Sequence, residues 1–578
     1  MLNNWKEQWH KNGRLRLLAA FLVNAALLAL LLCCFTPRFE TNDDVLMSKF
    51  VDGQMAEKSA FIPFINIAQG FFLKLLYTIG GEGLNWYSIA MYALMLAAFT
   101  AMTWVLLMRF RPLGAGSLAA VILLTAGLNS YLYPCFSKTC AVAVAGGLSL
   151  MLYALGDGLE KTKRLPLVLG LMLAVLGYLW RVEEFFGVAA LLAPVGLVCL
   201  LELLRKTKGE KPGERLGQVW HYARPFLLLL VLVLLLFGLD RICWKSGDYA
   251  YFTEYNDTRS MLVDYHELPD YEQMQPVYDS LDMDENAVYF LKNWSFYDTE
   301  KFSLEQIKAV LDARNSIVQP PSPGECLGIF LDKAVPGLAG TLAGLGLLLM
   351  LSLWLACGRH RWQDWLGLGL GFGFFGLLYL LMIYQNRYLA NRMDMGLLLA
   401  LMLTMSFLMD GEKLKGEKPF CAVMIVLVLA VGLYTNRNVC RLSDQYDVED
   451  KSGKKAAIQR VLEDEEHLYL CKVWSIDHEL YTPLETAPAG FADRIVLLGG
   501  WSLYHPSIEH LLASYGIENP YPDMIGNEQV RLIDSDVERT LAYLQKYYDE
   551  SARAEPVEPL SSETGLHIYR ICNDQEGK

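Results

Sequence analysis

Residues 15–44 read LRLLAAFLVNAALLALLLCCFTPRFETNDD. An apolar run from about Leu17 to Phe35 stops, and three carboxylates follow within five residues: Glu40, Asp43 and Asp44. A membrane span needs about 20 apolar residues, because 1.5 Å of rise per residue must cover about 30 Å of hydrocarbon. The run meets that length. It also follows a basic start, Lys6, Lys11, Arg14 and Arg16. It is too long for a signal peptide and carries no small-x-small cleavage site, so it reads as a retained signal anchor.

The same length test finds ten more stretches, near 86–108, 114–132, 136–156, 165–180, 185–204, 225–243, 332–357, 364–384, 393–410 and 419–434. The composition agrees, with 53% hydrophobic residues and a mean hydropathy of +0.25 over 578 residues. The fold class that follows is an all-α polytopic membrane protein of about eleven transmembrane helices, with a small extracytoplasmic α/β domain at its C-terminal end. The net charge is −13, and no basic stripe is present, which excludes a nucleic-acid partner.

Orientation comes from the short loops. Arg109/Arg111, Lys161/Lys163/Arg164, Arg205 to Arg215, Arg359/Arg361 and Lys413/Lys415/Lys418 all fall on the side of the basic N-terminus. By the positive-inside rule that side is the cytoplasm. The expectation is a multi-pass protein of the cell membrane, N-terminus cytoplasmic and C-terminus extracytoplasmic. Its segments are 1–36, the N-terminus and first span; 37–85, a first outer loop with the acidic motif; 86–243, spans two to seven; 244–331, a large outer loop; 332–434, spans eight to eleven; and 435–578, the α/β domain. Within the first loop, FIPFINIAQGFFLKLLYTIG (61–80) is apolar at helical spacing but interrupted by Asn66, Gln69 and Lys74. It reads as an interfacial helix, since a twelfth span would turn every later basic loop outward.

In the tail, KKAAIQRVLEDEEHLYLC reads as a helix entering a strand, and DRIVLLGGW as a buried strand with a glycine turn. SDVERTLAYLQKYYDE reads as a capped helix and GLHIYRIC as a closing strand. The twelve cysteines form no CxxC pair; Cys471 and Cys572 share the tail and could pair there.

Polar residues collect on the expected outer face. Besides Glu40, Asp43 and Asp44 there are Arg181, Glu183 and Glu184 in WRVEEFF, and Arg387, Arg392 and Asp394 in YQNRYLANRMD. Asp240/Arg241, then Asn256, Arg259 and Asp264, follow the seventh span, and Lys138 starts the fourth. Charges at span ends often only anchor a helix. Arginine in short outer turns, though, runs against the rule that orients the chain. Its planar fork suits the phosphate of an anionic headgroup. An aspartate beside it can act as a general base on a sugar hydroxyl or hold a divalent cation. The outer aromatics Trp244, Tyr249, Tyr251, Tyr255, Trp294 and Tyr297 can stack on sugar rings or simply build a loop core.

A basic N-terminus, one span, an acidic motif and an interfacial helix together resemble the GT-C superfamily of integral-membrane glycosyltransferases. More narrowly, FETNDDVLMSKFVDG, GLNWYS, EYNDTRS, LKNWSFYDTEKFS and LLGGWSLYHP look like a group of membrane proteins from Gram-positive gut bacteria. The resemblance implies an inverting hexosyl- or pentosyltransferase. Its donor would be a sugar on a polyprenyl phosphate or pyrophosphate, and its acceptor a cell-envelope glycan or lipid at the membrane. It implies that Asp44 or Asp43 is the base, with Asp44 slightly preferred and Glu40 supporting. Asp43 and Asp44 also permit, without requiring, a Mg or Mn ion. The donor's phosphate and sugar would be held by Arg181, Glu183, Glu184, Arg387, Arg392, Asn256 and Arg259. Three other readings stay open, one of them an envelope assembly or scaffold protein without catalysis. A flippase would carry ionisable groups at mid-membrane and repeated halves. A polymerase or ligase of the O-antigen type would centre on loop 244–331 and Arg259.

Overall fold

The computed structural model describes residues 12–55, 57–156, 163–265, 268–356, 360–387, 391–409, 417–440, 453–476, 481–486 and 490–574. Helices lie on all eleven apolar stretches. Eight are long and apolar enough to cross a membrane: Gly13–Cys34, Trp86–Arg109, Pro112–Leu132, Phe136–Leu155, Val182–Lys206, Pro212–Trp244, Trp362–Tyr384 and Phe420–Val439. Phe136–Leu155 is wholly enclosed by the others, which explains its small-residue run Ala141 to Gly147. Gly147 packs so closely on the helix Arg164–Tyr178 that a Cβ there would sit 2.6 Å from the Ala174 nitrogen.

Three stretches depart from a simple span. Residues 332–357 are not one rod. Pro323–Ala339 and Leu342–Ala356 meet at 88°. The bend falls at Gly340, after Pro336 and Gly337, and the Leu338 carbonyl crowds Gly344 so closely that a Cβ would lie 1.9 Å away. Helix Arg164–Tyr178 has 15 residues, roughly 22 Å of rise, short of the hydrocarbon thickness. Helix Asn391–Leu408 begins with Arg392 and Asp394, so charge occupies its first turn.

The stretch around 61–80 forms the 14-residue helix Ile67–Gly80, capped by the Asn66 side chain. It is apolar on both sides: Ile67, Leu73 and Tyr77 are buried against the protein, and a second apolar row faces outward. Gln69 is buried, while Phe71, Phe72, Leu75 and Ile79 are exposed. Exposed apolar groups in such a row suit contact with lipid. Asp240, at the end of Pro212–Trp244, accepts from the Ile67 backbone N–H at 2.7 Å and fixes the start of this helix.

The C-terminal domain is a five-stranded sheet: β1 Leu468–Cys471, β2 Ile495–Leu497, β3 Val530–Ile533, β4 Arg553–Pro556 and β5 Ile568–Cys572. The order is β2-β1-β3-β5-β4, with β2, β1 and β3 parallel and the last two antiparallel. Helices Lys454–Leu462 and Val537–Tyr547 stand where the sequence reading puts them, though Asp536 at the second makes no side-chain cap. Cys471 and Cys572 are buried thiols that are not joined to each other. They lie on strands either side of β3 and four residues out of register, more than about 10 Å apart by strand spacing alone, too far for a disulfide.

The domain docks on the large loop through the carboxyl ends of its parallel strands. The Tyr297 N–H donates to the Leu498 carbonyl at 3.0 Å. Asp298, fully buried, accepts from the hydroxyls of Tyr543 at 2.7 Å and Tyr548 at 2.6 Å and from the Asn519 amide at 3.1 Å. The outer aromatics mostly serve this packing. Tyr255 and Tyr297 are buried, and Tyr249 stacks on Phe61 at 3.6 Å.

Candidate functional site

The motif ETNDD opens the helix Asn42–Asp52, with Asp43 and Asp44 in its first turn. Carboxylates there are favoured by the helix dipole. Neighbouring helical residues point about 100° apart, and that divergence separates the two aspartates.

Asp44 turns inward and is fully buried. It accepts from the Tyr87 hydroxyl at 2.7 Å, the Phe136 N–H at 3.0 Å and the Thr41 hydroxyl at 3.1 Å. Burial pushes its carboxyl up to about 7. Asp43 beside it adds to the rise, and the three donors oppose it. Asp43 turns outward, its side chain 20% exposed. Arg392 donates to its Oδ2 at 3.2 Å, and the indole N–H of Trp501, from the glycine turn after β2, donates to its Oδ1 at 2.9 Å.

One ring organises the surroundings. Phe136 gives Asp44 its backbone donor, and its face meets the guanidinium of Arg181 at 4.8 Å and that of Arg392 at 5.7 Å. Phe64, at a positive φ of 69°, stacks on the same ring at 6.1 Å and meets Trp501 edge-on at 5.3 Å. The structure thus brings the first, second and third polar clusters of the sequence together around Phe136.

The remaining candidates divide. Glu40 pairs with the buried Lys138 at 2.7 Å, tying the first loop to the start of helix Phe136–Leu155. Glu183 pairs with Arg181 at 3.4 Å and is largely exposed. Glu184 is 1% exposed, and its Oε1 has no hydrogen-bond partner among the described residues. Asn256 lines a cavity of about 200 Å³ together with Arg181, Glu183, Asp240 and Arg241. Arg259 is buried and bidentate to Asp264 at 2.8 and 3.0 Å, and also holds Asn256. Arg387 does not join the Phe136 cluster; it stacks on Tyr265 at 4.8 Å.

An apolar groove of about 580 Å³ runs between helices Val182–Lys206 and Pro212–Trp244. Its lining includes Phe185, Phe186, Leu200, Tyr222, Phe226 and Leu230. Phe185 and Phe186 follow Arg181 and Glu183 directly, so the groove ends beneath the charged cavity that the same two helices frame.

A divalent cation fits this donor set poorly. Both oxygens of Asp43 and both of Asp44 already face hydrogen-bond donors, one of them a guanidinium. Among the described residues, no three His, Cys, Asp or Glu side chains converge on a metal position.

Trp501, Tyr87 and Phe136 were not picked out as site residues in the sequence. Trp501 sits in a quoted motif, LLGGWSLYHP, but nothing in it signals a reach to residue 43, which lies 458 positions away.

No protein-family model and no curated protein matches the chain. Among solved structures it is similar to one described as the crystal structure of ArnT from Cupriavidus metallidurans in the apo state. The identity is 12%, the TM-score 0.40, and the alignment covers 96% of this chain and 97% of that one. A superposition this loose assigns neither a family nor a chemistry.

Proposed function

We propose that the chain is a membrane glycosyltransferase of the GT-C type. It transfers a hexosyl or pentosyl group from a polyprenyl-(pyro)phosphate donor to a cell-envelope glycan or lipid on the outer face. The observation that carries this reading is a sequence of features: an apolar groove and the charged cavity framed by the same two helices, then Arg181 and Arg392 both against the Phe136 ring, then Asp43 bound to Arg392. An amphiphile with a long apolar chain and an anionic head matches that order.

Asp43 is the base in this reading. It is partly exposed, whereas Asp44 is sealed behind Tyr87 and Phe136. When a donor phosphate draws Arg392 away, Asp43 Oδ2 is freed. The acceptor hydroxyl gives its proton to that oxygen as its own oxygen bonds to the anomeric carbon. The anomeric C–O bond to phosphate breaks, and the leaving phosphate carries its charge onto Arg181 and Arg392. One displacement inverts the anomeric centre, and Asp43 then returns its proton to water. Asp44 holds the helix that carries Asp43, and Glu40 holds the loop through Lys138.

The donor half of the reading is tested by binding. Purified protein is titrated with a short polyprenyl monophosphate and with the matching free polyprenol. Arg181→Ala and Arg392→Ala should each weaken the phosphate at least about tenfold, the worth of one charged contact. The polyprenol should bind all three proteins alike. Equal affinity of the phosphate for all three proteins would remove the arginines from the donor site.

A further inference from the structure

Between the large loop and the turn at Asn386 lies a second, open cavity of about 1060 Å³, lined by Asp264, Tyr265, Asp270, Gln273, Lys292 and Asn386 among others. It is at the upper end of the range for small-molecule sites, about 300–1,000 Å³. Its chemistry is the opposite of the groove's. Asp264 accepts from Arg259, Asp270 pairs with Lys292, and Gln273 and Asn386 add amides that can both donate and accept. Tyr265 adds an aromatic ring, with the Arg387 guanidinium 4.8 Å from its centre.

A buried bridge separates this cavity from the smaller one. Asn256 lines the small cavity and Asp264 the large one. Arg259, 2% exposed, holds both, donating to Asn256 at 3.1 and 2.9 Å and to Asp264 at 2.8 and 3.0 Å.

We propose that the large cavity binds a neutral or amino-sugar oligosaccharide, and that it is the acceptor site of the transfer reaction, a role that rests on the glycosyltransferase reading. Planar amides and carboxylates with one aromatic face suit the hydroxyl edges and apolar face of a sugar ring. Each lining carboxylate is paired with a cation, Asp264 with Arg259 and Asp270 with Lys292, which leaves no excess positive charge for a phosphate-rich polymer. Arg259 is then a positioning residue that holds the acceptor cavity beside the donor cavity through Asp264 and Asn256.

Binding tests this without any donor. Full-length protein is titrated calorimetrically with N,N′-diacetylchitobiose, maltotriose and lactose. At least one should bind in the millimolar range or tighter. Tyr265→Ala and Gln273→Ala should each weaken it at least about fivefold, the value of one stacking or hydrogen-bonding contact. Arg181→Ala, in the other cavity, should leave it unchanged. Failure of all three sugars to bind at 50 mM, or equal binding by the Tyr265 and Gln273 variants, overturns the proposal. The outcomes separate the two readings. Saccharide binding by a protein that does not recognise polyprenyl phosphate would leave a sugar site here and remove the donor reading. Phosphate binding without saccharide binding would do the reverse.

Discussion

Asp43 and Asp44 share a motif but not an environment, and their variants should behave differently. Asp43→Asn should cut transfer by about 10²–10⁴-fold, the usual worth of a general base, and leave the melting temperature nearly unchanged. Asp44→Asn should act on stability, with a pH signature. The carboxyl rises from 3.8 in its ordinary state to about 7 when folded. The folded chain therefore keeps a proton that the unfolded chain releases between about pH 4 and 7. This contribution favours folding in full below pH 4, fades as pH rises to about 7, and is flat above. An asparagine cannot titrate, so the melting temperature of Asp44→Asn relative to wild type should be higher at pH 8 than at pH 5. A constant difference across that range would contradict the raised value. Trp501→Phe removes only the N–H to Asp43 and keeps a ring against Phe64. Losing one hydrogen bond of about 1 kcal/mol should slow transfer about fivefold, checked by initial rates at saturating donor. The sequence shows the acid cluster plainly. It does not show which aspartate is open, because that depends on donors supplied by residues 87, 136, 392 and 501.

Among elements, the apolar runs were readable because a span is a statement about length and composition. The 88° break between Pro323–Ala339 and Leu342–Ala356 was not, since an average over the window hides Pro336, Gly337 and Gly340. The helix Ile67–Gly80 was readable from its apolar spacing, interrupted by Gln69 and Lys74 after the cap Asn66. That Gln69 faces protein and Phe71 and Phe72 face outward needed the structure. The glycine turn after β2 was readable too, but not its reason. A Cβ on Gly499 would lie 1.4 Å from the Trp294 carbonyl oxygen, a backbone atom that cannot step aside. Gly499→Ala should therefore loosen the domain from loop 244–331 at a cost of about 3 kcal/mol or more. The check is faster proteolytic release of the tail and a lower melting temperature. Gly209→Ala, where a Cβ meets open space, is the control and should change neither.

Across the whole molecule, the two ends carry different chemistry. Arg109 bonds the Phe407 carbonyl at 2.8 Å and Arg361 pairs with Glu202 and Asp364 at the end far from Asp43. The Phe136 cluster, both polar cavities and the sheet domain share the other end. With the positive-inside rule, the proposal puts the site outside the cell. An alkaline phosphatase fusion at the C-terminus should be active and one at Gly209 inactive; the reverse pattern would invert the orientation. The central claim is that Asp43 and the two arginines move a sugar off a polyprenyl carrier. The most direct test incubates wild type, Asp43→Asn and Asp44→Asn with polyprenyl-linked sugars and crude envelope glycan, and measures released polyprenyl phosphate with and without EDTA. The account predicts release by wild type, unaffected by EDTA and lost in Asp43→Asn while that variant remains folded. Equal release by wild type and Asp43→Asn would contradict it.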